Sequence, residues 1–190
     1  MSPKSAKLPH INDPSFVSGG RSAKSYAFEA LWRAARPDRQ LPDSSAFLST
    51  HVGSLISNIM IIERAARLRG FVRTAGSEIL ALAGPDIVGC DYIALMPEAF
   101  RKEAWWSLGA MVSRPCGLWE LMPVHFGPDS ASVIEITGLP VIESETGQVL
   151  VASYMEQCAT TKAMSAQNSL KAETAIAYEF IDLGVGIPDL

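Results

Sequence analysis

Apolar residues first recur at three-and-four spacing in Phe28, Leu31, Trp32 and Ala35, the interval that gathers side chains on one face of a helix, and Pro37 stops the run. Pro42, Asp43 and Ser44 then form a helix-start signal ahead of Leu48, Val52, Leu55 and Ile56, which share one helical face. From Ile59 to Ile62 the apolar residues are unbroken and largely β-branched, as in a strand buried on both sides; the alternative is one long helix running through Leu68. After a short turn at residues 64–66 the period becomes two. Leu68, Gly70 and Val72 alternate with Arg67, Arg69, Phe71 and Arg73, which predicts a hairpin partner for the preceding strand.

Thr74 is placed as the cap of a helix carrying Ile79, Leu80 and Ala83, ended by Gly84-Pro85. A loop with Gly89, Cys90 and Asp91 follows. Pro97 then opens the helix expected to be the longest, with Phe100, Ala104, Leu108 and Met111 on one face and Trp105 and Trp106 beside it. Three apolar runs at 118–126, 133–142 and 149–158, separated by Gly127-Pro128-Asp129 and Glu145-Thr146-Gly147, read as an antiparallel meander. The Ala-rich stretch 165–182 is expected to be helical in part, ending loosely at Gly184, Gly186 and Pro188.

Strands broken by a helical block imply an α+β fold. The expectation is a five-stranded antiparallel sheet with helices on one face, N-terminal helices and a C-terminal helical extension. Residues 1–21 mix Ser, Pro, Gly and Lys without periodicity and are read as a mobile tail. The domain with its helical lead-in spans 22–158, and 159–190 form the extension. A chain of 190 residues, 48% of them hydrophobic, suffices for one sizeable core.

Charge and cysteine use narrow the function classes. A net charge of -4 gives no basic footprint for nucleic acid or an anionic membrane surface. No stretch approaches the roughly 20 continuous apolar residues of a membrane span. Lys4 and Lys7 are followed by Pro9, Asn12, Asp13 and Pro14 rather than by the apolar core of a signal peptide. Cys90, Cys116 and Cys158 are odd in number and far apart, as expected of reduced thiols, so the expected location is cytoplasmic.

Chemistry-bearing motifs are sparse. His10, His51 and His125 are dispersed, with no HExxH or paired CxxC, so no metal is expected. Neither GxGxxG nor GxxxxGK[ST] appears. Arg64, Arg67, Arg69 and Arg73 suit a solvated or salt-bridged sheet face better than an anion site. Glu120 and Glu135 lie within strands and are expected on a polar face. A small pocket enzyme of isomerase or dehydratase type is the rival reading. It needs at least two of Asp91, His125 and Glu135 to converge. A structural homodimer with a fully packed interior is the other rival.

Two strands, a block of short helices with one longer helix, then three antiparallel strands is the element order of a PAS domain. The run Arg69-Gly70-Phe71-Val72-Arg73-Thr74-Ala75-Gly76-Ser77-Glu78-Ile79, with Ala83-Gly84 and Ile87-Val88-Gly89 after it, resembles the second-strand-to-helix stretch of the fifth PAS subfamily, which consists largely of short stand-alone bacterial chains. Ile134-Glu135-Ile136-Thr137-Gly138-Leu139-Pro140 is similar to that subfamily's penultimate strand. Ala83-Gly84-Pro85-Asp86 departs from it, standing where relatives tend to have Gly-Arg. The resemblance implies a non-enzymatic sensory or interaction module, a homodimer with a signalling partner, and a small apolar cavity between sheet and helices. It names no cofactor. Haem is disfavoured by the absence of His from 97–113, and Val88-Gly89-Cys90-Asp91 lacks the flavin photosensor's cysteine motif. The ligand-pocket candidates are Trp105, Met111, Trp119, Met122 and Tyr154.

Overall fold

The computed structural model describes residues 20–38, 40–125, 131–160 and 171–188, so the tail expected over residues 1–21 lies almost wholly outside the described residues. Helix α1 (Ala23–Ala34) is capped by Ser22, whose side chain accepts the Ser25 N–H, and it buries Phe28 and Trp32 as their spacing predicts. Asp43 caps the next segment through the Ala46 N–H at 2.8 Å. That segment is not one regular helix. Helix α2 (Ser44–Ala46) passes into a π turn (Phe47–His51) and a 3-10 turn (Gly53–Asn58). Gly53 adopts φ 52°, which breaks the helical path, so Phe47 and Val52 turn inward while Ile56 is left 45% exposed.

Strand β1 (Ile59–Ala65) and strand β2 (Arg69–Ala75) form the predicted hairpin. Its turn is later than expected: Arg64 and Ala65 still pair with Gly70 and Arg69, and Arg67 and Leu68 take positive φ. Thr74 remains in β2, and Gly76 is the cap of α3 (Ser77–Ala83). A Cβ at Gly76 would lie 2.3 Å from the Ile56 carbonyl oxygen, so close backbone approach selects glycine at this start. Three 3-10 turns (Pro85–Ile87, Tyr92–Leu95, Glu98–Phe100) lead to α4 (Arg101–Ser113), at 13 residues the longest described helix.

Strands β3 (Gly117–His125), β4 (Ala131–Glu143) and β5 (Gln148–Thr160) are the antiparallel meander. The sheet runs β2-β1-β5-β4-β3, and two further strands, β6 (Lys171–Ala172) and β7 (Ala177–Ile181), pair with β3 along its outer edge. Among the described residues the sheet therefore has seven strands rather than five, and the described part of the C-terminal extension carries strands rather than a helix. Without β6 and β7, the β3 edge would carry a row of unpaired backbone groups. Phe180 and Ile181 drop into opposite cores, a period-two placement that outweighs the local alanine content.

Helices cover both faces of the sheet, not one. Met60, Ile62, Val72, Met122, Ile134 and Ile136 face α3 and α4, whereas Ile59, Ile61, Trp119, Leu121, Leu139 and Tyr154 form a second core with Phe28, Trp32 and Phe47. The N-terminal lead-in is thus a packed layer, because β4 and β5 carry apolar side chains on both faces and each face needs a cover. Among the described residues, no helix is long and apolar enough to cross a membrane.

Candidate functional site: a two-lobed cavity between sheet and helices

Alternation along β3 sends Leu118, Glu120, Met122 and Val124 toward α3 and α4, and Trp119 and Leu121 toward α1. On the α3/α4 side the packing is incomplete. A first lobe of about 220 Å³ lies under α3, among Met60, Ile79, Leu82, Ile87, Val124 and Ile134. A second of about 120 Å³ lies under α4, among Ile62, Leu108, Met111, Leu118, Glu120 and Ser153. Tyr92, Met96, Met122 and Ile136 line both, so the two lobes adjoin with these four side chains between them. Gly138 keeps the floor of the second lobe low: a Cβ there would stand 3.2 Å from both the Met111 sulfur and a Val151 methyl.

The roof is fastened at its ends. The Trp105 indole N–H donates to the Ala65 carbonyl at 2.8 Å, and the Arg64 guanidinium stacks 3.6 Å above the Trp105 ring, tying α4 to β1. Asp91 accepts the Gly70 N–H at 3.0 Å and the Ile93 N–H at 3.1 Å, fixing the turn that carries Tyr92 and Met96 against β2. At the base of α3, Asn58 donates to the Met155 carbonyl at 3.0 Å.

Glu120 brings a carboxyl to the inner face of β3. It is partly exposed and lines the second lobe, and the protein around it strips its solvation, pushing its carboxyl up to about 7. Tyr92, buried beside it, is pushed far above the usual phenol range by burial and then by the Glu120 charge. Cys116 is an enclosed, inert thiol, raised to about 11 by burial.

Of the sequence-derived pocket candidates, Met122 lines both lobes and Met111 the second. Trp105 spends its polar edge on Ala65 and acts as a brace for α4. Trp119 and Tyr154 lie on the other face: Trp119 donates to Glu135 Oε1 at 2.7 Å, and Tyr154 packs on Phe28 with ring centroids 5.7 Å apart. Tyr92, Met96 and Ile136 were not singled out by the sequence. Tyr92 and Met96 sit in and just after a 3-10 turn, where no simple period reports burial, while Glu120 shares the phase of Leu118 and Met122, a signal the sequence does contain.

Glu135 is 2% exposed rather than solvated, because the start of α1 needs an acceptor. Its Oε1 takes the Ser22 N–H at 2.8 Å, and its Oε2 has no hydrogen-bond partner among the described residues. Asp91, His125 and Glu135 do not converge. Asp91 caps a turn beside β2, His125 bonds Glu173 at 2.5 Å at the end of β3, and Glu135 lies under α1. Among the arginines, Arg69 pairs with Asp91 and Arg73 with Glu63, as a salt-bridged face predicts. No group of three or more His, Cys, Asp or Glu side chains suited to a metal occurs among the described residues.

A family model described as a PAS domain matches residues 21–121, from the start of α1 into β3. No curated protein and no solved structure matches the chain. The matched stretch contains the β1–β2 hairpin, the helical roof of the cavity and the first strands of its floor, and the sheet order beyond it completes the same architecture. With more than half of its 190 residues matched and this arrangement of sheet and helices, the chain belongs to the PAS domain family.

Proposed function

We propose that this PAS domain is a non-enzymatic sensor that takes a small, mainly apolar molecule into the two-lobed cavity and reports its occupancy to a signalling protein. The observation that carries this reading is the position of the cavity. Its floor is the sheet and its roof is α3, α4 and the turns between them, so filling it changes how the roof rests on the sheet. A ligand that prefers one roof position shifts the population toward it, which is all a sensor requires. In this reading the protein is a homodimer in a bacterial cytoplasm. The exposed aromatic residues Trp106 and Tyr178, on α4 and β7, support a contact surface next to the roof.

The cavity weighs against a purely structural role, since a close-packed interior would leave no such space. The separation of Asp91, His125 and Glu135 weighs against the pocket-enzyme reading, which needs two of them together. Native mass spectrometry of the freshly purified full chain, repeated after denaturation, tests the proposal. A small molecule seen only in the native spectrum is the expected result. A ligand-free protein that also binds nothing from a panel of small apolar probes would overturn it.

A further inference from the structure

Charge around the cavity is one-sided. The ionisable side chains lining it are carboxyls and tyrosines: Glu78 in the first lobe, Glu103, Glu120, Glu173 and Tyr178 in the second, and Tyr92 in both. No Lys, Arg or His side chain lines either lobe among the described residues. Glu173 is engaged by His125, and Glu103 is solvent-exposed on α4. Glu120 is different. It projects from the middle of β3 into the second lobe, with no ion-pair or hydrogen-bond partner among the described residues.

Resting on the ligand-binding reading above, we propose that the molecule this cavity receives is an organic cation, an amine or ammonium group on an apolar tail, with its head at Glu120 and its tail in the first lobe.

A carboxylate partly buried in a cavity wall is costly without a counter-charge, and a bound cation supplies the one missing among the described residues. The second lobe also presents aromatic side chains, with Tyr92 at its inner end and Phe100 and Tyr178 farther out. Such rings attract an ammonium group by their faces. Tyr178 is held by the rim itself, as Phe180 packs edge-on to it at 6.5 Å and to Trp106 at 5.9 Å. The first lobe is suited to the tail. Its walls are Met60, Ile79, Leu82, Ile87 and Met122, flexible or branched apolar chains that adapt to an alkyl or aryl group. An anionic head would meet Glu120 and Glu103 as like charges, so the same residues disfavour fatty-acid-type ligands.

The test is calorimetric titration of the full chain with n-hexylamine, n-hexanol and hexanoate at about pH 8, where an aliphatic amine is still protonated. Hexylamine is expected to bind tighter than hexanol by about tenfold or more, the ratio one charge-assisted hydrogen bond supplies, with hexanoate weakest. Glu120→Gln should level amine and alcohol, whereas Glu145→Gln, in the exposed turn between β4 and β5 and away from both lobes, should leave the preference in place. The wild-type comparison of the three probes is decisive without any variant. Hexanol binding as tightly as hexylamine, or hexanoate binding tightest, overturns the cation and leaves the apolar cavity standing. Failure of all three overturns both readings. An amine preference that survives Glu120→Gln removes Glu120 from its assigned role.

Discussion

The Trp32 indole N–H donates to the Pro140 carbonyl at 2.6 Å inside the core between α1 and the sheet. Pro140 lies within β4 opposite Val151, and this bond joins the N-terminal layer to the middle of the sheet. Together with the Ser25–Thr137 hydroxyl bond of 2.6 Å, it gives α1 a fixed register on β4. Trp32→Phe removes the donor and part of the ring. It should destabilise the fold by about 1–3 kcal/mol, the cost of a buried polar group losing its partner. Urea denaturation followed by circular dichroism measures it, and an unchanged midpoint would mean that α1 contributes little to the domain.

Gly70 and Gly76 are glycines for different reasons and should respond differently. A Cβ at Gly70 would touch the Leu108 methyl at 3.1 Å and an Ile93 carbon at 3.5 Å, both flexible side-chain atoms beneath the roof. Gly70→Val should therefore cost about 1–3 kcal/mol by overpacking. At Gly76 the same atom would lie 2.3 Å from a backbone oxygen, which cannot move without shifting the Gly53–Asn58 turn. Even Gly76→Ala should lower the denaturation midpoint more than Gly70→Val does. The reverse order would show that the α3 start is more pliable than the roof.

The hydrophobic periods in the sequence locate the β1–β2 hairpin, the meander and the first helix, because one buried face repeats at a fixed interval in each. They locate the cavity only partly. Met111 and Met122 follow from the periods of α4 and β3, but the turn bearing Tyr92 and Met96 is positioned by Asp91 bonds to Gly70 and Ile93, a tertiary fact with no local period. Trp119 and Tyr154 illustrate the complementary limit. Alternation shows that they oppose Met122 and Met155, yet it does not say which face bears the cavity, since both faces are covered by helices. The Gly76 cap is hidden for the same reason as Tyr92, its constraint being the distant Ile56 carbonyl. The C-terminal strands follow from the needs of the β3 edge and not from alanine content.

Burial raises the Glu120 carboxyl from 4.5 to about 7, so between these values the folded protein holds a proton that the unfolded chain releases. Its contribution to stability is full below about pH 4.5 and is lost as the pH rises through about 7. Asp43 and Glu63, held low chiefly by hydrogen bonds, act in the opposite sense, their contributions being lost as the pH falls below the usual carboxylate range. Relative to Glu120→Gln, the wild-type protein should therefore lose stability on going from pH 4.5 to above 7. Urea midpoints of the two proteins across that range check this. Parallel curves would place Glu120 in contact with bulk water.

The β3 edge offers a last test. β7 pairs with β3 from Gly117↔Ile181 to Leu121↔Ala177, and β6 adds Val124↔Ala172, so a chain ending at residue 170 would present that edge unpaired. It would also lose Phe180 from the core under α4 and Ile181 from the core under α1, opening both layers at once. An open edge with apolar residues on both faces is a template for pairing with another chain. The truncated protein should show faster amide exchange along β3 and concentration-dependent self-association by sedimentation. If it instead stays monodisperse with β3 amides as protected as in the full chain, β6 and β7 are a covering layer that the sheet does not need.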